Sequence, residues 1–337
     1  MTHRYAYYPG CSLEKNARAY HISALYVAKK LGIELAEVPD WNCCGATEYF
    51  AIAALPAYAL VARNLALAEA MSANENRQHL VAPCSACFLN LSKTDHYMAE
   101  SPQLAAQVNE ALAAGGLHYD PGAVFVHHLL DVVVDDIGYE AVMQRVEKPL
   151  FGLRVAPYYG CLVTRPDYNR IHNEPEHPFC LDDLLAALGA TVIDYPVKTA
   201  CCGGHMTQIS ENTALELIRR LLKAAADYNA DVIVTLCPMC QLNLDGYQAQ
   251  VNKHFGVDYH IPILYFTQVM GLAMGASPEE VGIGKEFVDA RPALDKIQEK
   301  PPETGKKKRK KRPPKQALPM PEMLRTHTKP VTGPSGR

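Results

Sequence analysis

A pattern of ten cysteines, repeated in the same order in both halves of the chain, limits what this sequence can fold into. The blocks of the two halves are displaced by 150 to 158 residues. They are Cys11, Cys43-Cys44-Gly45 and Cys84-x2-Cys87, followed by Cys161, Cys201-Cys202-Gly203-Gly204 and Cys237-x2-Cys240. Self-similarity at a fixed displacement predicts a duplicated domain.

The adjacent cysteines favour metal binding over disulfide bonds. Neighbouring Cα atoms lie about 3.8 Å apart, whereas a disulfide needs about 4.4 to 6.8 Å. The start of the chain shows no apolar segment typical of a secretory signal, so we expect a cytoplasmic protein. Because thiols stay reduced in that compartment, the eleven cysteines predict metal or redox chemistry rather than a disulfide framework.

Length and composition are typical of a globular protein with two domains. The chain has 337 residues, of which 48% are hydrophobic and 20% charged. Its longest apolar run, residues 261–276, is short for a membrane span and predicts a buried helix. We expect a first domain at 1–150, a second at 151–290 and a tail at 291–337.

The tail differs from the rest of the chain in charge. Residues 291–337 hold 14 Lys and Arg against 4 Asp and Glu, whereas residues 1–290 hold 19 against 32. Nine of the 24 prolines also follow residue 290, so the tail is predicted to be disordered. Its basic run, residues 306–312, has no interleaved aromatic residues, and no nucleic-acid partner is expected. An acidic partner, the protein's own body, peripheral membrane association and plain solvation all remain open.

Short β-rich runs alternate with long helical patterns, which predicts an α/β fold with parallel-type sheets flanked by helices. The predicted strands are Arg4 to Tyr8, Glu34 to Val38, His79 to Ala82, Arg154 to Tyr159, Thr191 to Tyr195 and Asp231 to Leu236. The predicted helices are Ala17 to Lys30, Ala51 to Ser72, Leu181 to Leu188 and Glu211 to Tyr228. Each cysteine group follows a strand, and ligands gather beyond the carboxyl ends of parallel strands. We therefore expect two groups of thiolates.

Five thiolates per group exceed what common metal sites use. Tetrahedral zinc takes four ligands, and an ordinary cubane iron-sulfur cluster also takes four. The surplus suggests an expanded iron-sulfur cluster, or a cluster with one exchangeable thiolate. Gly45, Gly203 and Gly204 would let the backbone turn tightly and bring N–H groups to the sulfurs.

The cysteine pattern resembles the CCG domain, and its duplicated form resembles the B subunit of heterodisulfide reductase over about residues 4–275. The resemblance implies two noncubane [4Fe-4S] clusters, with a disulfide substrate split between them. The implied ligands are Cys11, Cys43, Cys44, Cys84 and Cys87 for one cluster, and Cys161, Cys201, Cys202, Cys237 and Cys240 for the other.

Electron transfer is expected to need other polypeptides. The sequence has no Cys-x2-Cys-x2-Cys-x3-Cys-Pro ferredoxin motif and no Gly-x-Gly-x-x-Gly nucleotide fingerprint. The resemblance implies a ferredoxin-like C subunit, which exchanges electrons with a flavin-containing A subunit.

A few residues outside the cysteine sets admit both a functional and a structural interpretation. His205 could donate a proton to a departing thiolate, or be a histidine hydrogen-bonded beside the site. Arg165 could offset cluster or substrate charge, or form a surface ion pair. Cys180 is expected to pack in the core, with a redox role as the alternative, and His127-His128 are expected to be structural.

The sequence thus predicts an iron-sulfur oxidoreductase subunit that cleaves or forms a disulfide. One alternative is the bacterial heterodisulfide-reductase-like system of sulfur oxidation, acting on a carrier-bound thiol or persulfide. A zinc-binding structural module and a metal-free thiol-disulfide protein are the others. The sequence leaves the substrate and the direction of electron flow open.

Overall fold

Two four-stranded parallel sheets, one in each half of the chain, form the framework of the molecule. The computed structural model describes residues 3–46, 48–72, 78–165 and 174–300. These residues belong to one compact unit. Their cores merge into a single cluster of buried apolar side chains.

The two sheets have the same topology. The first has the order β2-β1-β3-β4, with β1 (His3–Tyr7), β2 (Ile33–Glu37), β3 (Gln78–Ala82) and β4 (Val124–His128). The second has the order β6-β5-β7-β8, with β5 (Arg154–Tyr158), β6 (Thr191–Val192), β7 (Val232–Thr235) and β8 (Ile263–Tyr265). All neighbouring strands are parallel. The prediction of a duplicated α/β fold with parallel sheets is confirmed.

Helices flank both sheets. The first half contains α1 (Gly10–Glu14), α2 (Arg18–Leu31), α3 (Glu48–Ile52), α4 (Ala54–Glu69), α5 (Ser85–Glu100), α6 (Pro102–Ala113), α7 (Leu129–Asp131), a π-helix at Val132–Ile137 and α8 (Tyr139–Met143). The second contains α9 (Cys180–Ala187), α10 (Met206–Ile209), α11 (Glu211–Asp227), α12 (Pro238–Gly246), α13 (Gln248–Phe255), α14 (Phe266–Ala273), a 3-10 turn at Glu279–Val281 and α15 (Arg291–Leu294).

The sequence patterns locate six strands and miss one edge strand in each sheet. All six predicted strands are present, and β7 is buried along its whole length, as expected for a central parallel strand. Strand β4 was missed because its Phe-Val-His-His stretch lacks a clear apolar pattern. The apolar run 261–276, predicted as one buried helix, is instead strand β8 followed by α14. Both elements are buried, so apolarity alone could not separate them.

The cysteine-bearing loops lie at the carboxyl ends of the strands. Cys84 is the N-cap of α5, directly beyond β3, and Cys237 is the N-cap of α12, directly beyond β7. Cys11 lies in α1, which begins shortly after the end of β1. Cys161 follows β5 in the same way. In each repeat, the parallel sheet therefore places the cysteine-bearing loops together at the carboxyl ends of its strands.

The two repeats pack against each other next to these carboxyl ends of the strands. The ring of Tyr20, on α2, stacks on the ring of Tyr265 with centroids 4.2 Å apart and an interplanar angle of 7°. The Tyr20 hydroxyl donates to the carbonyls of Pro83 (2.9 Å) and Leu236 (3.3 Å). These two carbonyls directly precede Cys84 and Cys237. One buried side chain thus holds both strand ends together.

The start of the predicted tail is ordered. Residues 291–294 form α15, and Gln298 pairs with Phe151 in an isolated antiparallel bridge. The side chain of Ala293 is buried. The prediction of disorder is therefore wrong for 291–300, because this stretch packs back onto the second repeat. The basic run 306–312 lies outside the described residues.

Candidate metal centre

The five cysteines of the first repeat come together at the end of the first sheet. The sulfur of Cys11 lies 3.5 Å from that of Cys43, and the sulfur of Cys44 lies 3.4 Å from that of Cys87. Cys84 hydrogen-bonds with Cys87. These contacts are far longer than the roughly 2.05 Å of a disulfide, and all five thiols are free.

The second repeat reproduces this arrangement. The sulfur of Cys202 lies 3.5 Å from that of Cys240, matching the pair formed by Cys44 and Cys87. Cys161 hydrogen-bonds with Cys201, and Cys237 with Cys240. The sequence repeat is therefore also a repeat of the site.

The two sets of thiols meet. A hydrogen bond with Cys237 raises the pKa of Cys84, and hydrogen bonds with Cys240 and then with Cys84 lower the pKa of Cys237. Both residues are buried, and they stand on the two strand ends that Tyr20 joins. The sequence predicted two thiolate groups, and the tertiary structure adds that they adjoin at the boundary between the repeats.

In each set, the first cysteine of the adjacent pair has a strongly lowered pKa. Hydrogen bonds from Cys11 and Cys44 lower the pKa of Cys43 to about 2. Hydrogen bonds from Cys161 and Cys202 lower the pKa of Cys201 to about 2 as well. Because thiolates are the metal-binding form of cysteine, this network favours a cationic group at each set.

Backbone N–H groups surround the sulfurs. The amide of Gly203 donates to the Cys201 sulfur over 3.3 Å, and the amide of Gly45 donates to Cys43. Gly45 has φ +72° and Gly203 has φ +96°, which only glycine adopts without strain. Gly204 has φ +52°, and its equivalent in the first repeat, Ala46, has φ +45° despite its side chain. The turn therefore imposes a positive φ on Ala46, although this conformation is unfavourable for a residue with a Cβ atom.

Two further glycines allow the backbone to approach the sulfurs closely. A Cβ atom added at Gly10 would lie 2.9 Å from the Cys87 sulfur, and one added at Gly160 would lie 3.2 Å from the Cys240 sulfur. Sequence reasoning did not select these glycines. The signal was present, because each directly precedes the first cysteine of its repeat.

Two tyrosines and two asparagines, which sequence reasoning also missed, fix the loops with the adjacent cysteines. The hydroxyls of Tyr8 and Tyr158 donate to the carbonyls just before the cysteine pairs, those of Asn42 (2.6 Å) and Ala200 (2.7 Å). The buried amide of Asn243 donates to the carbonyls of Cys202 (3.3 Å) and Gly204 (2.7 Å), and Asn90 does the same to Cys44 (3.1 Å) and Ala46. Their recurrence at matching positions in both repeats could have revealed them.

The donor set fits an iron-sulfur cluster better than a single metal ion. It consists of thiols alone, supported by N–H groups and by glycines whose Cβ would crowd a sulfur. Within residues 3–46, 48–72, 78–165 and 174–300, no three His, Cys, Asp or Glu side chains converge in a way that would hold one metal ion.

A cavity of about 280 Å³ opens beside the second set of cysteines. Its walls include Leu162, Met206, Ile209 and Met239, and the first repeat contributes Glu48 among others. The imidazole Nδ1 of His205 contacts the carboxylate of Glu48, so the two repeats are bridged at the cavity wall. The predicted residue His205 thus lies in the same cavity as Cys201 and Cys240.

Comparison with known proteins identifies the family. The model of the CCG cysteine-rich domain matches twice, at residues 5–92 and 155–245. The chain belongs to the CCG family. Each matched segment contains one complete set of five cysteines.

Relatives of this CCG protein match it over nearly their whole length. The 8-methylmenaquinol:fumarate reductase membrane anchor subunit of Wolinella succinogenes is 33% identical over 290 residues, 86% of this chain and 99% of the relative. The B subunit of the ferredoxin/F420H2-dependent CoB-CoM heterodisulfide reductase of Methanosarcina acetivorans is 31% identical over 293 residues, 86% of this chain and 95% of the relative.

A solved structure shares the fold. A hypothetical protein from Helicobacter pylori has a TM-score of 0.66 at 16% identity, covering 85% of this chain and 52% of its own. At that identity the likeness concerns the fold alone. The family resemblance inferred from the sequence is confirmed, and relatives named as subunits of an oxidoreductase are among its members. In the described part of the chain, no helix is both long and apolar enough to cross a bilayer.

The remaining predicted residues lie outside the thiol sets of this CCG protein. The guanidinium of Arg165 pairs with the carboxylate of Glu176, and its Nε lies 3.0 Å from the nearer carboxylate oxygen. The Arg165 side chain is half-exposed. Cys180 begins α9 and packs against the core, and burial raises its pKa. His128 is buried as the N-cap of α7, and burial lowers its pKa to about 4. The Nε2 of His127 hydrogen-bonds with the Nδ1 of His79 at 2.7 Å.

Proposed function

We propose that this CCG protein is the iron-sulfur catalytic subunit of a heterodisulfide-reductase-like complex. The observation that supports it best is the meeting of two five-thiol sets at Cys84 and Cys237, beside a cavity built by both repeats. Each set would hold one noncubane [4Fe-4S] cluster. The ligands would be Cys11, Cys43, Cys44, Cys84 and Cys87 for the first, and Cys161, Cys201, Cys202, Cys237 and Cys240 for the second.

The reaction we propose is the interconversion of a disulfide and two thiols. Cleavage consumes two electrons and two protons, breaks the S–S bond and leaves two S–H groups. When bound, the clusters would supply the electrons one at a time and bind the sulfur of each half. The surrounding chain binds the substrate and supplies protons.

His205 is the proposed proton donor. Its imidazole Nδ1 contacts the carboxylate of Glu48, which holds the ring at the cavity wall, where a histidine can act as an acid. The residue lies in the cavity with the second thiol set, within the space where a departing thiolate would form. Arg165, held by Glu176 near Cys161, is proposed to offset negative charge at that set.

The lining of the cavity favours a thiol with an apolar arm. Leu162, Met206, Ile209 and Met239 form its walls, and Ile209 leaves 74% of its surface exposed. An apolar substrate segment would cover this exposed side chain. A carrier-bound thiol or persulfide, as in the sulfur-oxidation alternative, would instead need a wide opening at the same place.

Electrons are proposed to pass through a ferredoxin-like partner subunit to a flavin-containing one. The chain has no ferredoxin motif of its own, and relatives are named as subunits of multi-subunit reductases. We place this exchange in the cytoplasm, in keeping with the free thiols.

A second candidate is a subunit of a quinol:fumarate reductase. It is favoured by the identity of 33% over 99% of the Wolinella succinogenes relative, whose name describes such an enzyme. In that case the clusters held by the thiol sets would relay electrons between a quinol and a partner subunit, and no disulfide would be turned over.

Metal content and disulfide turnover test the proposal. Anaerobically purified protein should hold about eight irons and eight acid-labile sulfides per chain and show an EPR signal that depends on added thiol. With a reduced viologen as electron donor, it should release thiols from an apolar disulfide. His205→Asn should slow that release and leave the iron content unchanged.

Matched cysteine variants provide the control. Cys44→Ser should remove about half of the iron, whereas Cys180→Ser, outside both sets, should keep it all. Zinc without sulfide would refute the redox proposal and favour a structural module. Clusters that a quinol reduces and no disulfide reoxidises would favour the fumarate reductase candidate instead.

A further inference from the structure

The first repeat has an open groove that has no cysteine among its described lining residues. It is a cavity of about 640 Å³ between helix α5 and strand β4. Among the residues that the structure describes, strand β4 pairs only with β3 and lies at the edge of its sheet. The lining includes Ser92, Phe125, Asp131, Asp135 and Asp136. We call this cavity the α5–β4 groove.

The second repeat shows which contacts form at the position equivalent to Asp131. Asp131 closes the first turn of α7 by accepting from the backbone N–H of His128 at 3.0 Å. Gln268 does the same for α14, accepting from the N–H of Tyr265 at 2.9 Å. His128 and Tyr265 end the edge strands β4 and β8. Asp131 and Gln268 are therefore counterparts.

In the second repeat, a segment of the chain itself covers this position. The free amide of Gln268 donates to the carbonyl of Val281 (3.3 Å) and to the carboxylate of Glu286 (3.2 Å). The carboxylate of Asp245 accepts from the backbone N–H groups of Phe287 (2.8 Å) and Val288 (3.0 Å). Residues 281–288 thus lie across the groove between α12 and β8.

In the first repeat, the corresponding residues line the open groove. Ser92 occupies the position of Asp245, two residues beyond the paired asparagines, and lines the cavity. Asp131 is only 8% exposed, and its Oδ1 atom has no hydrogen-bond partner in the part of the chain that the structure describes. A buried acceptor without a partner is costly, so a bound donor there would be stabilising.

The charges of the groove identify the donor. Asp131, Asp135 and Asp136 lie within six residues and all line the cavity, and residues 1–290 have 19 Lys and Arg against 32 Asp and Glu. A cationic side chain would relieve the repulsion between these carboxylates and pair with Asp131. The segment in the second repeat presents Glu286, which accepts from the side-chain amide of Gln268, whereas the carboxyl group of Asp131 has no N–H group to donate.

We propose that the α5–β4 groove binds an extended segment of a partner protein that presents a lysine or arginine to Asp131. The polypeptide nature of the ligand follows from the second repeat, and its charge follows from the three aspartates. Phe88 lines the same groove and directly follows the proposed ligand Cys87. The bound segment would therefore lie next to the first thiol set.

A peptide taken from the second repeat tests the proposal. The probes are a labelled peptide of residues 281–290, Val-Gly-Ile-Gly-Lys-Glu-Phe-Val-Asp-Ala, and its Glu286→Lys form, added to anaerobically purified full-length protein. Fluorescence anisotropy should show the Glu286→Lys peptide binding at least about tenfold more tightly, since charge-assisted hydrogen bonds are strong. A photo-crosslinker at the Phe287 position should attach to α5.

Protein variants separate the groove from general charge attraction. Asp131→Gln makes the first repeat resemble the second and should reverse the preference between the two peptides. Asp135→Asn, at an exposed residue, should weaken binding of the Glu286→Lys peptide several-fold, whereas Asp120→Asn, an exposed aspartate outside the groove lining, should not. Unchanged iron content shows that each variant folds. Equal binding of both peptides, no binding at about 1 mM, or an unchanged preference in Asp131→Gln would each refute the proposal.

Discussion

At the scale of single residues, the thiol sets depend on the absence of a side chain at Gly10 and Gly160. Gly10→Ala should remove up to half of the bound iron, because the new Cβ would lie 2.9 Å from the Cys87 sulfur. Gly160→Ala should have a smaller effect, since its Cβ would lie 3.2 Å from the Cys240 sulfur. Iron and acid-labile sulfide per chain provide the measurement.

The control for this prediction is Gly116→Ala. Gly116 has φ +68°, close to the +74° of Gly10, but a Cβ there would meet nothing within 4 Å. Both substitutions should carry the backbone cost of a positive φ, about 1–2 kcal/mol, and lower Tm. Only Gly10→Ala should lose iron. Equal iron loss in both would mean that backbone strain, not crowding of the sulfur, is the cause.

At the scale of elements, helices α5 and α12 hold the cysteine loops through one asparagine each. Asn90→Ala should leave the carbonyls of Cys44 and Ala46 without the amide that binds them. The expected result is a loss of stability of about 1–3 kcal/mol together with a loss of iron from the first set. Thermal unfolding and iron analysis of the same preparation measure both.

Asn109→Ala is the matched control for Asn90→Ala. Asn109 also fixes a loop of the first repeat with two hydrogen bonds, to the carbonyl (3.0 Å) and the N–H (2.9 Å) of Tyr119. Its loss should lower Tm by a similar amount and leave the iron in place. An iron loss as large as that of Asn90→Ala would show that general destabilisation, rather than the cysteine loop, controls the site.

At the scale of the whole molecule, Tyr20 joins the two repeats at the thiol sets. Tyr20→Phe keeps the stacking on Tyr265 and removes the hydrogen bonds to the carbonyls of Pro83 and Leu236. We expect a loss of about 1–3 kcal/mol, one cooperative unfolding transition, and partial loss of iron from both sets. Calorimetry and iron analysis test these outcomes.

Tyr119→Phe serves as the control for the interface. Tyr119 is equally buried, but its hydroxyl donates to Asp95 within the first repeat at 2.5 Å. Its variant should lose stability and keep the iron. A full iron content in Tyr20→Phe would contradict the role of its hydroxyl, and two unfolding transitions in the unaltered protein would contradict the single compact unit.

The sequence alone determined the duplication, the parallel α/β class and the grouping of the ten cysteines into two sets, because each of these follows from a local sequence pattern that occurs twice. Helical spacing in 211–228 and the apolar run before Cys237 are enough to place α11 and β7. The edge strands β4 and β8 were missed, since histidines interrupt one pattern and α14 extends the apolar run of the other.

Only the tertiary structure decided how the two repeats relate. Three contacts cross the repeat boundary and join residues more than 150 positions apart. They are Cys84 with Cys237, Glu48 with His205, and the hydroxyl of Tyr20 with the carbonyl of Leu236. No local pattern encodes such contacts, because they arise from packing one sheet edge against another. The same packing covers Gln268 in one repeat and leaves Asp131 facing an open groove in the other.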